Sequence, residues 1–198
     1  MKSSSQHKER ERNTHTIIVD AAERLFGQIG SQKTTVLDIA HNLRMSPANV
    51  YRFFASKTEI HEAVVRRLLN EIEVAVGEIV QRSDQANQKL RAVIAAIEKA
   101  HAKRFQTNPK LHELIEAAFN ENWAIAYQHR QKIEKSLTAI ISQGNREGEF
   151  RVEEPDVAAI LVHSACLRFC HPSLLIECAR EPKPTVDQLV NFCLAALR

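Results

Sequence analysis

Two helix-start signals, Ser46-Pro47 and Ser56-Lys57-Thr58-Glu59, stand ten residues apart and constrain this chain more than any other feature of it. A serine before a helix accepts a hydrogen bond from a free backbone amide, and proline suits the first helical position, where no amide is needed. Met45 and Val50 can close a hydrophobic staple around the first start; Ala55 and Ile60 can do so around the second, which reads as a capping box. The helix that starts at Ser46 buries Val50, Phe53 and Phe54. A third start lies at Thr35, whose hydroxyl can cap the amide of Asp38, with Val36, Ile39, Ala40 and Leu43 on the buried side.

Residues 35–54 are therefore two short helices joined by a turn of about three residues. Ahead of them, Ile17, Ile18, Ala21, Ala22, Leu25, Phe26 and Ile29 repeat on one helical face from about Thr14, and Gly30 stands where a left-handed cap belongs. Behind them, Ile60, Val64, Leu68, Ile72, Val76 and Ile79 predict a long helix to about Gln81. This is the outline of a helix-turn-helix unit.

The remaining two thirds continue in helices. Leu90, Val93, Ile94, Ile97, His101 and Phe105 make a stripe ended by Asn108-Pro109, and Leu111, Leu114, Ile115, Ala118 and Phe119 a short one. A further helix is predicted over 120–142 with Trp123, Tyr127, Ile133, Leu137 and Ile140, closed by Gly144 and followed by a polar loop at 145–150. Pro155 opens a helix that stops near Pro172, and Thr185-x-x-Gln188 boxes the start of the last. About nine helices result. Five Gly and six Pro among 198 residues leave too few turns for a sheet protein, whose strands need punctuation every ~8–12 residues. The fold class is all-α.

Charge divides unevenly along the chain. Through Arg67 there are 11 Lys+Arg against 7 Asp+Glu, a net +4, and beyond it 16 against 17, which accounts for the overall +3. A basic excess of this kind draws nucleic acid through counterion release. No apolar run approaches the ~20 residues of a membrane helix, and the opening MKSSSQHKERERN is charged with no apolar stretch behind it, so we expect a cytoplasmic protein. No Gly-rich phosphate loop, nucleophile elbow or H-E-x-x-H occurs, so neither an enzyme nor a cofactor is implied.

Between its buried residues the helix after Ser46 shows Ser46, Ala48, Asn49, Tyr51 and Arg52. The small residues let backbone approach a groove floor, the Asn49 amide suits an adenine edge, and Tyr51 and Arg52 can bond phosphates. Lys57 adds a charge beside the free amides of the next helix, a seat for phosphate. At this point the stretch TTVLDIAHNLRMSPANVYRFFASKTEIHEAVV resembles the DNA-binding domain of the TetR/AcrR family of bacterial transcriptional regulators. The Thr34-Thr35 pair, Asp38-Ile39-Ala40, Ser46, Tyr51, Phe54, Lys57, Glu59 and Ile60 fall at the family's spacing, as does the upstream Ile18-Ala21-Ala22-Leu25-Phe26-Gly30 pattern. The likeness covers roughly residues 13–66. Arg44-Met45 departs from it, standing where the family often has Gly and a β-branched residue.

The departing Arg44 offers a phosphate contact of its own, while the resemblance implies that Thr35, Ser46, Ala48, Asn49, Tyr51, Arg52 and Lys57 touch double-stranded DNA, with Ala48 and Asn49 at base edges and the others chiefly at phosphates. It implies a flexible basic tail at 1–12, a helix-turn-helix domain at 13–60, and at 61–198 a C-terminal bundle, entered by the long helix, that binds a small-molecule effector and dimerises. The expected function is a homodimeric repressor released from a palindromic operator by that effector. The dimer would form through the last two long helices, with Val157, Ile160, Leu161, Leu189, Phe192, Cys193 and Ala196. Polar or aromatic residues on apolar stripes, His101, Phe105, Phe119, Trp123, Tyr127, His163 and Phe169, are the candidates for the effector's pocket.

All four cysteines, Cys166, Cys170, Cys178 and Cys193, lie in the last third. His163, Cys166 and Cys170 follow at i, i+3 and i+7, which leaves open an alternative, a metal- or thiol-sensing regulator. Free cysteines otherwise serve as small buried hydrophobes, and no metal site is assigned.

Overall fold

The computed structural model describes residues 2–171, 174 and 184–198, and among these it has nine helices and no strand. They are α1 (Lys2–Ile29), α2 (Val36–Asn42), α3 (Pro47–Tyr51), α4 (Lys57–Gln81), α5 (Ala86–Thr107), α6 (Pro109–Asn120), α7 (Ala124–Glu147), α8 (Pro155–Cys170) and α9 (Val186–Ala196). The sequence caps hold. Thr35 accepts from the Asp38 amide and Ser46 from that of Asn49; Thr185 and Gln188 cap each other's backbone. At α4 the box is shifted by one residue: Ser56 accepts from Glu59, but the Glu59 carboxylate reaches back to the Ala55 amide, at 2.7 Å.

The first helix departs from expectation. It continues back through the segment read as a flexible tail, to Lys2, because residues 2–12 hold no Gly or Pro and are rich in Glu, Lys, Arg and Gln.

Two apolar cores meet on α4. Its first half (Ile60, Val64, Val65, Leu68, Leu69) joins α1, α2, α3 and α6 around Phe26, Ile39, Val50 and Ile115. Its second half (Ile72, Val76, Ile79) joins α5, α7, α8 and α9 around Leu90, Leu137, Ile141 and Cys193. Polar clamps fix α4 to its neighbours. Arg67 donates to Glu23 (2.7 Å) and to the Val19 carbonyl (3.2 Å) of α1 and pairs with Asp20; Arg104 of α5 donates to the Leu68 carbonyl (3.0 Å) and Glu71. The buried Lys89 ammonium reaches the Val80 carbonyl at the C-terminal end of α4, where a helix collects negative partial charge.

The turn from α6 into α7 and the end of α7 also differ from the sequence reading. One helix was expected over 120–142, but α6 stops at Asn120. Asn122 takes φ 56°, a conformation asparagine tolerates, and Trp123 starts α7 as its N-cap. Gly144 does not close α7. The helix runs on to Glu147 and Gly148 caps it at φ 76°. Gly144 is glycine for a different reason: a Cβ there would lie 2.1 Å from the Phe150 ring. The polar loop is also more than a linker, since the Glu149 carboxylate accepts from the Ala86 and Asn87 amides (2.9 and 3.3 Å) and caps α5.

Candidate nucleic-acid interface and ligand cavity

The short helix α3 owes its pose to a few apolar side chains. Val50 and Phe54 are buried with Ile18, Ile39 and Ala40, while Ser46, Ala48, Tyr51 and Arg52 face solvent and Asn49 is half-buried. Tyr51, at 51% exposure, is a large aromatic left without a core to join. The turn into α3 carries Arg44 at φ 53°, in the left-handed region where a Cβ costs about 1 kcal/mol relative to glycine. This strain holds an exposed guanidinium beside the helix start. Lys57 donates to the Gln32 carbonyl (3.1 Å), so its charge is anchored across the groove between α4 and the α1–α2 turn.

Thr35 is placed otherwise than a free phosphate donor would be. Its hydroxyl donates to Asp38 (2.6 Å) and its amide does so as well (2.8 Å), so both of its donors are engaged by its own helix. The same bonds hold the Asp38 carboxyl below its ordinary value.

A cavity of about 860 Å³ opens between α5, α6, α7 and α8. It brings together five of the seven sequence candidates: His101, Phe119, Trp123, Tyr127 and His163. Phe105 and Phe169 are not among its described lining. Phe105 sits partly exposed against His112, and Phe169 packs into the second core, because each falls on a helix face turned away from the cavity.

His129, Arg130, Glu134 and His171 also line the cavity and were missed. For His129 the signal was present: it sits four residues after Ile125 and four before Ile133, on the buried stripe of α7.

The cavity's histidines are held in distinct ways. His101 is 3% exposed, its Nδ1 has no partner among the described residues, and burial pushes its pKa down to about 3. His163 Nδ1 meets Glu134 at 3.2 Å; burial lowers its pKa despite that carboxylate. His129 Nδ1 meets Glu73 at 2.9 Å, and Lys132 shares the same carboxyl at 2.5 Å. Burial alone would raise the Glu73 pKa, but these two partners hold it below the ordinary value. Behind the cavity wall, Trp123 stacks on His61 of α4 (6.4 Å between centroids, 6° between planes), and His61 meets the edge of Phe26 of α1 at 5.0 Å. A line of three rings thus joins the cavity to the first core.

The expected dimer residues divide. Val157, Ile160, Leu161, Phe192 and Ala196 are exposed, Leu161 at 64% and Phe192 at 69%, and make an apolar face on α8 and α9. Leu189 is buried in the second core, and Cys193 is nearly enclosed there at the floor of the crevice between the two helices; the pitch of α9 turns both inward.

The metal- or thiol-sensing alternative finds no assembled site. His163 turns to Glu134 and the cavity, whereas Cys166 is buried in the core. The Cys170 side chain and Cys178 lie outside the described residues. Among the described residues no group of three His, Cys, Asp or Glu is placed to hold a metal ion, and no helix is long and apolar enough to cross a membrane.

Residues 18–64 match the family model of bacterial regulatory proteins of the tetR family, and residues 86–190 match that of a tetracyclin repressor-like C-terminal domain. The chain is similar to the HTH-type transcriptional regulator BetI of Brucella anthropi, with 31% identity over 117 residues that cover 59% of this chain and 54% of that protein. It spans about half the length of the curated relatives it matches first. Among solved structures it is similar to the TetR family regulator PfmR from Thermus thermophilus, with TM-score 0.58, 25% identity, and coverage of 91% of this chain and 97% of that one. It is also similar to AibR, solved in complex with isovaleryl coenzyme A and operator DNA, with TM-score 0.58, 18% identity, and coverage of 92% and 97%.

Proposed function

The chain belongs to the TetR family of bacterial regulatory proteins, and from that premise we propose that it is a cytoplasmic, homodimeric repressor that leaves a palindromic operator when a small molecule fills its cavity. The observation that carries this reading is the ring contact of Trp123, His61 and Phe26, which ties the cavity wall to the helix-turn-helix core. A ligand that moves Trp123 moves α4, and with it the head. AibR, of the same fold, was solved with both a coenzyme A ester and operator DNA, a pairing that supports the same division of labour here.

Each part has a role. Asn49 and Ala48 approach base edges; Tyr51, Arg52, Arg44 and Lys57 bind phosphates; Ser46 sets the start of α3. Thr35 acts as the cap of α2, and contributes to phosphate only if Asp38 releases it. The apolar face of α8 and α9 joins a second copy, with Val157, Ile160, Leu161, Phe192 and Ala196 at the contact. Two α3 helices about 34 Å apart then read an inverted repeat. The effector needs only a preference for the released form, and roughly 10⁴-fold switches the population almost completely.

The test begins with selection of bound duplexes from a random pool. Lys57→Ala is expected to weaken all duplexes alike and lower the salt slope by about 1, whereas Asn49→Ala relaxes one base pair per half-site, at about 1–3 kcal/mol. Leu161→Asp with Phe192→Asp should sediment as a monomer and lose the selected site. Equal affinity for selected and random duplexes at every salt concentration defeats the proposal.

A further inference from the structure

The chemistry of the cavity narrows what can fill it, on the premise that it is the effector's site. Apart from histidines, the only ionisable groups of opposite sign among its described lining are Arg130 and Glu134, which cancel. Arg130 is exposed, with its guanidinium 5.1 Å from the Tyr127 ring centroid, and Glu134 is engaged by His163. The described lining thus carries no net formal charge to offset the desolvation of a charged ligand.

Among the other polar residues of the lining, the Tyr127 hydroxyl accepts from Gln131 and the Ser164 hydroxyl donates to the Ile160 carbonyl, whereas the imidazoles keep unfilled hydrogen-bonding capacity. A carboxylate accepts only from a protonated nitrogen, so His163 carries its proton on Nδ1, toward Glu134. In the neutral ring, which burial favours, that leaves Nε2 as a bare acceptor. His101 is neutral and almost wholly buried, and its Nδ1 has no partner among the described residues. A buried polar atom without a partner costs about 1–3 kcal/mol, which a ligand recovers once the ring turns that nitrogen toward the cavity. The remaining walls include the flat rings of Phe119 and Trp123. Flat walls suit a flat ligand, and aromatic pairs add about 0.5–1.5 kcal/mol beyond area.

We propose that the cavity takes an uncharged aromatic molecule bearing a hydroxyl, a phenol-class ligand, whose ring lies against Phe119 and Trp123 and whose O–H is donated to a neutral imidazole, His163 or His101. A hydroxyl both donates and accepts, so one such group answers either tautomer of His101.

Four probes of one shape separate the alternatives in calorimetric titrations of the full chain at neutral pH: 4-propylphenol, propylbenzene, 4-propylbenzoate and 4-propylphenyl(trimethyl)ammonium. Trp123 is the chain's single tryptophan, so a change in its fluorescence places each binding event at the cavity. 4-Propylphenol is expected to bind roughly tenfold more tightly than propylbenzene, and both ions more weakly than the phenol. In the double variant His101→Phe, His163→Phe the phenol should lose its advantage over propylbenzene, while the wild-type series stands whether or not that variant folds. The proposal is overturned if either ion matches the phenol, if propylbenzene matches it, or if the phenol does not bind. Fluorescence anisotropy on a selected duplex reads the effector role separately. An ion that binds and releases DNA ends the phenol assignment and leaves the effector reading intact. A phenol that binds without releasing DNA ends the effector reading and leaves the ligand class.

Discussion

In the head, Thr35, Ser46 and Ser56 each give a side-chain oxygen to an amide three residues ahead, and Tyr51 and Arg52 at the end of α3 face water. In the bundle, His101, His129 and His163 face a cavity from helices far apart in sequence, and two of them find their partners on other helices, Glu73 and Glu134. The helix starts of the head are therefore fixed by contacts within one turn, and its surface chemistry is separable from its folding. The bundle's polar chemistry is part of its core, where function and stability are bound together. Substitutions can break that contrast or sharpen it.

The largest effect is expected from acid acting on the bundle. His101 is held neutral by burial, with its pKa lowered from 6.5 to about 3. The unfolded chain takes up a proton below about pH 6.5 that the fold refuses until about pH 3. Stability owed to this group is thus undiminished above pH 6.5 and falls progressively as pH drops toward 3. Denaturant titrations across that window should show a shallower acid loss for His101→Phe than for the parent. Identical acid slopes would show that His101 is not buried neutral.

Next is the close approach of Phe150 to Gly144. Phe150 is buried, so its ring has little room to retreat. Gly144→Ala should destabilise by about 1–3 kcal/mol, the usual cost of overpacking, seen as a lower Tm. Gly77 is the control: its Cβ would meet nothing within 4 Å. Gly77→Ala should be neutral or stabilising, by up to about 1 kcal/mol for a helix interior.

How much of this was legible in the sequence follows the same divide. The caps at Thr35, Ser46 and Thr185 and the left-handed Gly30 were readable because donor and acceptor sit within a few residues of each other. The exposed face of α3 followed from the register those caps fix. The end of α7 is ambiguous in the sequence because two glycines compete there, and only the ring of Phe150, folded back from beyond the helix, tells which of them is the cap. The cavity was legible in part. Trp123 and His163 broke apolar patterns visibly, whereas Phe105 and Phe169 looked the same in sequence and face elsewhere. Which face of a helix meets a cavity depends on the packing angle of its neighbours, and periodicity does not encode that angle.

Within the head, separability predicts that capping and DNA contact come apart at Ser46. Ser46→Ala should cost about 1 kcal/mol of stability, since the Asn49 amide loses its acceptor. Ser46→Asp keeps the cap and should melt close to the parent, yet it places a negative charge where we propose that phosphate lies. Its affinity for every duplex should fall, most at low salt, where screening is weakest. A variant that melts normally and binds DNA normally would remove Ser46 from the interface.

The smallest effect tests the one place where the head stores strain. Arg44 holds φ 53° in the turn ahead of α3, and glycine adopts that conformation freely. Arg44→Gly relieves about 1 kcal/mol of left-handed strain, but glycine also returns entropy to the unfolded chain, so the net gain in stability should be a few tenths of a kcal/mol. Loss of the exposed guanidinium should at the same time weaken DNA binding uniformly and lower the salt slope by about 1. A parallel loss of stability and affinity would mean that the Arg44 side chain supports the fold, and the separation of surface from structure in the head would fail at its turn.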